Sequence, residues 1–293
     1  MKKVGVIGLG NMGMGMAKNL IKSGFSVIGF DLDDKRLLKL KENGGSTATS
    51  AVQVGEETNA VFVMVMNGEQ VKAVVADLAT GLKDRGTIIL TATITPEEAR
   101  EAYSIADLEG VAMLDSPVSG GMDGAHNGTL TLMTAGKKSV FNDCIKILEA
   151  VSSNIFHVGE EIGEGQTVKA SLQAFIGASF TAIFESLVLG SKAGIKGQTL
   201  YDVFSASGVG SPLFKNCASL IMDRKFKNTG SHISTMYKDL GISLDMAKKN
   251  GVPLFTAGAA YELFQAGISM FPDEDNWSIV KLLEQISGTE VHW

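Results

Sequence analysis

Cysteine is nearly missing from this chain. Cys144 and Cys217 are the only two among 293 residues. That excludes a disulfide scaffold and leaves no Cys-x-x-Cys or His/Cys cluster to hold zinc. A reducing cytoplasm is the expected setting. Histidine is scarce too: His126, His157, His232 and His292 form no triad with an evident serine and acid, and each reads as a surface or loop residue. Positive charge is in deficit. With 26 Lys and Arg against 32 Asp and Glu, the net charge is −6, which argues against a nucleic-acid surface but not against a small anionic substrate held by a few local cations. No run reads as long enough to span a bilayer. The start, MKKVGVIGLGNMGMGMA, imitates a signal peptide, but glycines break its apolar part and a structural motif fits it better. The methionines read as core packing rather than a metal site. Tandem repeats and low-complexity segments are also missing.

What is present is alternation. Lys3–Ile7, Ser26–Asp31, Ala60–Met66, Thr87–Ala92 and Val111–Asp115 read as short strands rich in Val and Ile. Between them lie helical patterns at Asn11–Ser23, Asp34–Asn43, Glu69–Leu82 and Pro96–Leu108. Such alternation predicts an α/β fold with a doubly wound parallel sheet. Thr129–Thr134 and Asn154–Val158 read as further strands around a helix at Ser139–Val151. From about Gly165 the pattern becomes helical, beginning with one long helix to Ala193. The expected organisation is a Rossmann-type domain over residues 1–163 and an all-helical domain over 164–293, which the long helix opens.

Gly8-Leu-Gly10-Asn11-Met12-Gly13 follows the first strand and opens the first helix. Gly8 permits the tight turn, Gly10 lets the backbone approach a pyrophosphate, and Gly13 allows close packing. Free N–H groups and the helix dipole then meet the phosphates. Glycine is abundant here, so the spacing alone is weak evidence; strand before and helix after make it a dinucleotide site. Asp31 ends the second strand, where a carboxylate accepts hydrogen bonds from the adenosine ribose and repels a 2′-phosphate. NAD is therefore expected over NADP, although Lys35 and Arg36 can reach such a phosphate. Asp33 serves equally well as the helix N-cap. Val65, Met66, Asn67 and Thr93 close the third and fourth strands, on the side that faces the cofactor.

Lys169 poses a separate question. It stands at the head of an uncharged stretch from Ala170 to Phe184, at a helix start that disfavours cations. Gly165, Lys169 and Gln173 share one helix face by their spacing of four.

Three strings in order, VIGLGNMGMGMAKNL at 6–20, DSPVSGGMDGAHNGTLTLM at 115–133 and GEGQTVKASLQ at 163–173, resemble the β-hydroxyacid dehydrogenase family. The resemblance extends to Lys238-Asp239-Leu240 and to Asp275-Asn-Trp-Ser278. It implies the two-domain fold, a nicotinamide cofactor, a short hydroxy acid or its semialdehyde as substrate, and a homodimer or homotetramer. Ser119-Gly120-Gly121 becomes the loop that grips the substrate carboxylate through backbone N–H groups and a hydroxyl. Lys169 falls on the catalytic lysine, which exchanges a proton with the substrate hydroxyl. Burial and a helix N-terminus would lower its affinity for that proton. Lys238 falls on a lysine near the nicotinamide. The chain departs from the pattern at several positions. Gln173 stands where isobutyrate-type members have asparagine, which points to a three- or four-carbon sugar acid. Leu172 replaces a usually polar residue, and Ala92 the first of a Ser-Thr pair. Gly15 replaces a common proline and is expected to be harmless.

Overall fold

Strand β1 (Lys3–Ile7) has both faces covered, and its apolar residues divide between them. Val4 and Val6 enter one core with Leu20, Phe62 and Ile89. Ile7 enters the other with Val61, Val63, Ile88 and Leu90. That division follows from the two-residue period of a strand. It explains why the strands read as continuous apolar runs rather than alternating ones.

The computed structural model describes residues 3–83 and 86–293. The chain forms two compact units, Met1–Lys169 and Ala170–Trp293. In the first, β1 is followed by α1 (Asn11–Lys22), β2 (Ser26–Phe30), α2 (Asp34–Glu42), β3 (Ser46–Thr47), α3 (Ala51–Glu57), β4 (Ala60–Val63), α4 (Gly68–Leu82), β5 (Thr87–Leu90), α5 (Pro96–Leu108) and β6 (Ala112–Asp115). Then come β7 (Val118–Ser119), α6 (Gly121–Asn127), β8 (Leu130–Ala135), α7 (Lys138–Glu149) and β9 (Ser152–Gly159). The strands lie in the order β3-β2-β1-β4-β5-β6-β8-β7, with β9 also on β8. All pairings from β3 to β6 are parallel. The chain order reverses between β1 and β4, so the crevice at their carboxyl ends is the topological switch point.

The sheet departs from the expected all-parallel form at β8, which runs antiparallel to β6 and β7. A hairpin-like return needs no long crossover, and the short α6 suffices as the connection. Three strands end earlier than their apolar runs suggest, at Phe30, Val63 and Leu90. Asp31, Val65, Met66, Asn67 and Thr93 therefore lie in the loops that follow the strands. Several elements carry too little periodicity to be read in advance: β3, α3, β7 and α6.

Helix α8 (Glu164–Lys192) begins in the first unit and continues through the second. The second unit adds α9 (Gly197–Ala206), α10 (Pro212–Met222), α11 (Ile233–Lys249), α12 (Phe255–Met270), a 3-10 turn at Asn276–Ser278, and α13 (Ile279–Ser287). Its core gathers Phe180, Phe184, Leu187 and Val188 of α8 with Leu240, Phe264 and Trp277. By length and composition α8 is able to cross a bilayer, with a mean hydropathy of 1.6 in its best window, which corrects the expectation that no such run exists. In this fold one side of it supplies the core of the second unit through those four residues. The Asp275-Asn-Trp-Ser278 string is a structural clip: Asp275 accepts hydrogen bonds from the Thr229 N–H and hydroxyl, and the Trp277 indole donates to Thr229.

Candidate functional site

The glycine turn after β1 separates the three glycine roles by steric cost. At Gly8, φ is +85°, and a Cβ would lie 2.2 Å from the Met64 carbonyl oxygen. At Gly13 a Cβ would lie 1.8 Å from the Gly8 carbonyl oxygen. Both positions exclude side chains for reasons internal to the fold. Gly10 differs. A Cβ there would meet nothing nearer than an Arg36 guanidinium nitrogen at 4.0 Å. Gly10 keeps open a space that the fold itself does not fill, at the start of α1, where the first N–H groups have no intrahelical partners. Asn11 and Met12 belong to that first turn. The cradle fits a dinucleotide pyrophosphate.

Asp31 is half-buried, with its side chain only 7% exposed against this turn. The Leu9 N–H donates to its Oδ2 at 2.6 Å and the Asp33 N–H to its Oδ1 at 2.9 Å. An Arg36 guanidinium nitrogen reaches both oxygens, at 3.2 and 3.3 Å. Asp33, not Asp31, caps α2, through the Lys35 N–H. Asp31 therefore joins the end of β2 to the glycine turn, and Arg36 offsets its charge. Arg36, Lys39 and His126 line a cleft together with Gly10 and Asn11. Of these, His126 carried only a bland reading in the sequence; its place follows from α6 packing on α1, which no local pattern encodes.

That packing is close. Asn19 of α1 is buried, and its amide nitrogen lies 2.8 and 3.1 Å from the carbonyls of Ala125 and His126 at the end of α6. A Cβ at Gly15 would fall 2.8 Å from the Ala125 carbonyl oxygen. Glycine at 15 suits this packing, since any Cβ there would force α6 to shift. At its other end α6 starts at Gly121. Gly120 and Gly121 have φ of +124° and +61°, conformations that favour glycine and turn the chain sharply after Ser119. Ser119 itself pairs with Thr131 of β8.

At the other strand ends, Asn67 caps α4 by accepting the Gln70 N–H at 2.9 Å. Met66 is exposed and its N–H donates to the Gln70 side chain. Val65 and Thr93 are half-buried.

Lys169 is 6% exposed and stands in the second turn of α8. The helix start that carries it is met by a carboxylate: Asp115 accepts the N–H groups of Gly163 and Gln166 at 2.9 and 3.1 Å. A negative group there offsets the dipole that a lysine alone would oppose. Burial pushes the Asp115 carboxyl up to about 6, although those N–H groups and the Gln166 side chain pull it down.

In the second unit, Gln173 and Asp239 are both buried, and the Gln173 amide nitrogen donates to Asp239 Oδ2 at 2.6 Å. Lys238 Nζ forms an ion pair with Asp239 Oδ1 at 2.9 Å. Gly177, one turn beyond Gln173, makes the approach possible: a Cβ there would meet Leu240 at 2.6 Å. Asp239 had no assigned role in the sequence reading, although it sits inside the Lys238-Asp239-Leu240 string. Among the described residues no group of acidic, histidine or cysteine side chains is placed to hold a metal.

The profile of the NAD-binding domain of 6-phosphogluconate dehydrogenase matches residues 3–159, and that of the NAD-binding region of NADP-dependent 3-hydroxyisobutyrate dehydrogenase matches residues 163–283. A probable mitochondrial 3-hydroxyisobutyrate dehydrogenase of Dictyostelium discoideum is 36% identical over 95% of this chain and 89% of its own length. An L-threonate dehydrogenase of Haemophilus influenzae is 34% identical, covering 97% of this chain and 96% of its own. Among solved structures, a 3-hydroxyisobutyrate dehydrogenase of Salmonella typhimurium aligns with a TM-score of 0.88 at 30% identity, over 96% of this chain and 100% of that one.

Proposed function

Since the chain belongs to the β-hydroxyacid dehydrogenase family and is an NAD(P)-dependent oxidoreductase of hydroxy acids, we propose that its substrate is a three- or four-carbon sugar acid or semialdehyde, of the threonate or tartronate semialdehyde type. The carrying observation is the 2.6 Å bond from Gln173 to Asp239. An ionised carboxylate only accepts, so it takes the amide NH2 and leaves the Gln173 carbonyl oxygen to accept elsewhere. A fixed acceptor selects a substrate hydroxyl and penalises an analogue that lacks one.

In this reading Lys169 takes the proton from the reacting hydroxyl on oxidation and returns it on reduction. The nicotinamide, when bound, supplies the complementary hydride transfer. Ser119, Gly120 and Gly121 hold the substrate carboxylate, and Lys238 takes the role of a cofactor-binding residue. The turn at Gly8, Gly10, Asn11, Met12 and Gly13, with Asp31, Val65, Met66, Asn67 and Thr93, holds the dinucleotide. NAD is the preferred form because Asp31 disfavours a 2′-phosphate. NADP is accepted through Arg36 and Lys39. Residues 1–163 serve as the cofactor domain and 164–293 as the substrate and assembly domain.

The enzyme assembles as a homodimer or homotetramer. The exposed face of α8 supports this, since it carries Val168, Phe175 (69% exposed) and Leu189 (72% exposed). Two buried cysteines suit a cytoplasmic setting.

A second reading, 3-hydroxyisobutyrate as substrate, is favoured by the 36% identical relative of that name. A panel separates the two: purified protein, NAD or NADP, and 3-hydroxyisobutyrate, glycerate, threonate and erythronate, with tartronate semialdehyde tested in reduction. Activity confined to 3-hydroxyisobutyrate overturns the proposed substrate class.

A further inference from the structure

One fully buried carboxylate remains outside the groups assigned above. Asp115 ends β6 with 0% exposure. Removing a carboxylate from water is costly, so its retention requires hydrogen bonds strong enough to offset the loss. It has them. Beyond the N–H groups of Gly163 and Gln166, the Gln166 side-chain amide donates to Asp115 Oδ1 at 2.9 Å. Gln166 is itself 0% exposed, and its side-chain groups are all engaged. The same amide nitrogen donates to the Ala92 carbonyl at 3.0 Å, and the amide oxygen accepts the Ile94 N–H at 3.2 Å. This pattern admits a single orientation of the amide.

The node joins three segments. Ala92 and Ile94 flank Thr93 at the end of β5. Asp115 leads through Ser116 and Pro117 to Ser119, Gly120 and Gly121. Gln166 lies one turn before Lys169 on α8. The approach is tight, because a Cβ at Gly165 would fall 2.5 Å from the Met133 carbonyl oxygen and 2.6 Å from that of Asp115. A simple helix cap explains less. The residue before α8 is Gly163, which has no side chain for local capping, and the cap comes instead from 48 and 51 positions away. A capping side chain at position 163 is excluded, because φ there is +102° and a Cβ would fall 2.5 Å from an Arg100 guanidinium nitrogen. Local capping would not tie α8 to the ends of β5 and β6.

We propose that Asp115 and Gln166 are positioning residues for the dehydrogenase reaction, fixing the Lys169 turn against the Ser119–Gly121 loop and the Thr93 strand end. The inference rests on the reading of Lys169 and that loop given above. Neither Asp115 nor Gln166 touches substrate. They hold the lysine-bearing backbone so that its proton-transfer geometry is set before substrate arrives.

The test uses the full chain with Gln166→Met, which keeps length and volume, Asp115→Asn, which keeps shape, the double variant, and Lys169→Ala as control. Three quantities are measured for each: NADH affinity by fluorescence, kcat and KM for the panel acid that the unaltered enzyme oxidises fastest, and melting temperature. Specific activity is counted per NADH-binding site, so loss of folded protein does not enter. Each single variant is expected to lower kcat by about 10–100-fold, the cost of a misplaced reacting group, with NADH affinity kept within about twofold. The double variant should be no worse than the worse single one, because the two residues act as a unit. Single variants that keep kcat per binding site while melting lower would reduce the node to a structural role and overturn the proposal. If Lys169→Ala retains turnover, the functional reading itself fails. If Lys169→Ala is inactive and both node variants keep normal kcat, only the positioning inference fails.

Discussion

The Gln173 amide and the Asp239 carboxylate meet at 2.6 Å although 66 positions separate them in the chain. This bond turns a glutamine able to donate or accept into a side chain with its acceptor left over. Asp239→Ala should free that amide and break the Lys238 ion pair. The expected result is a rise in KM for threonate or glycerate of about tenfold or more, consistent with the loss of a charged hydrogen bond. Preference over 3-hydroxyisobutyrate should narrow. Unchanged relative kcat/KM values across the acid panel would contradict the role given to Gln173.

Lys169→Ala should abolish turnover while NADH still binds, because the cofactor turn lies in the loop after β1 and is untouched by the change. Lys169→Arg should not restore activity, since a guanidinium does not give up its proton at neutral pH. Stopped-flow and equilibrium fluorescence separate binding from chemistry here. Near-normal turnover in either variant rules out the proton-transfer assignment.

Two glycines in one motif should behave differently. Gly10→Ala places its methyl group in open space, so the melting temperature should hold while NADH affinity falls by about tenfold or more, because the methyl group occupies the path of the pyrophosphate. Gly13→Ala puts a Cβ 1.8 Å from a backbone oxygen and should destabilise the first unit by several degrees or prevent its folding. Equal effects on stability would show that Gly10 is not a ligand-facing position.

Arg36 lies against Asp31 and lines the cleft beside Gly10. Arg36→Leu should lower kcat/KM for NADP by about 10–100-fold, the value of a charged hydrogen bond to phosphate. The NAD value should change far less. If both cofactors lose equally, Arg36 supports the fold of the turn rather than selecting the cofactor.

Stability should depend on pH through Asp115. Its carboxyl is raised from the model-compound range to about 6 in the folded protein. The protonated form is thus favoured by folding. Its contribution is complete below about pH 4 and is lost as pH rises through 6, a change of about 3 kcal/mol. Urea unfolding of the unaltered protein and of Asp115→Asn, followed by circular dichroism, should show their difference shifting in favour of the variant between pH 4 and 7. A constant difference across that range would mean that Asp115 does not titrate there.

Much of this was legible along the chain. The glycine turn, the strand–helix alternation and the shared face of Gly165, Lys169 and Gln173 are local patterns, and the structure has them in place. The antiparallel β8 was not legible, because a six-residue apolar strand looks alike in either direction. The roles of Asp115, Gln166 and Asp239 were hidden for a related reason. Each side chain finds its partner through long-range packing that leaves no trace in local spacing.

The sequence by itself determined the class of fold, the cofactor turn and the helix on which the lysine stands. Steric limits at glycine and the periods of strand and helix act over a few residues. Tertiary structure alone decided how the lysine's helix start is tolerated, which acid holds Gln173, and why glycine suits position 15. Those outcomes depend on burial and on partners brought from distant segments, where the cost of a dry charge or a misplaced Cβ is felt only once the chain has packed.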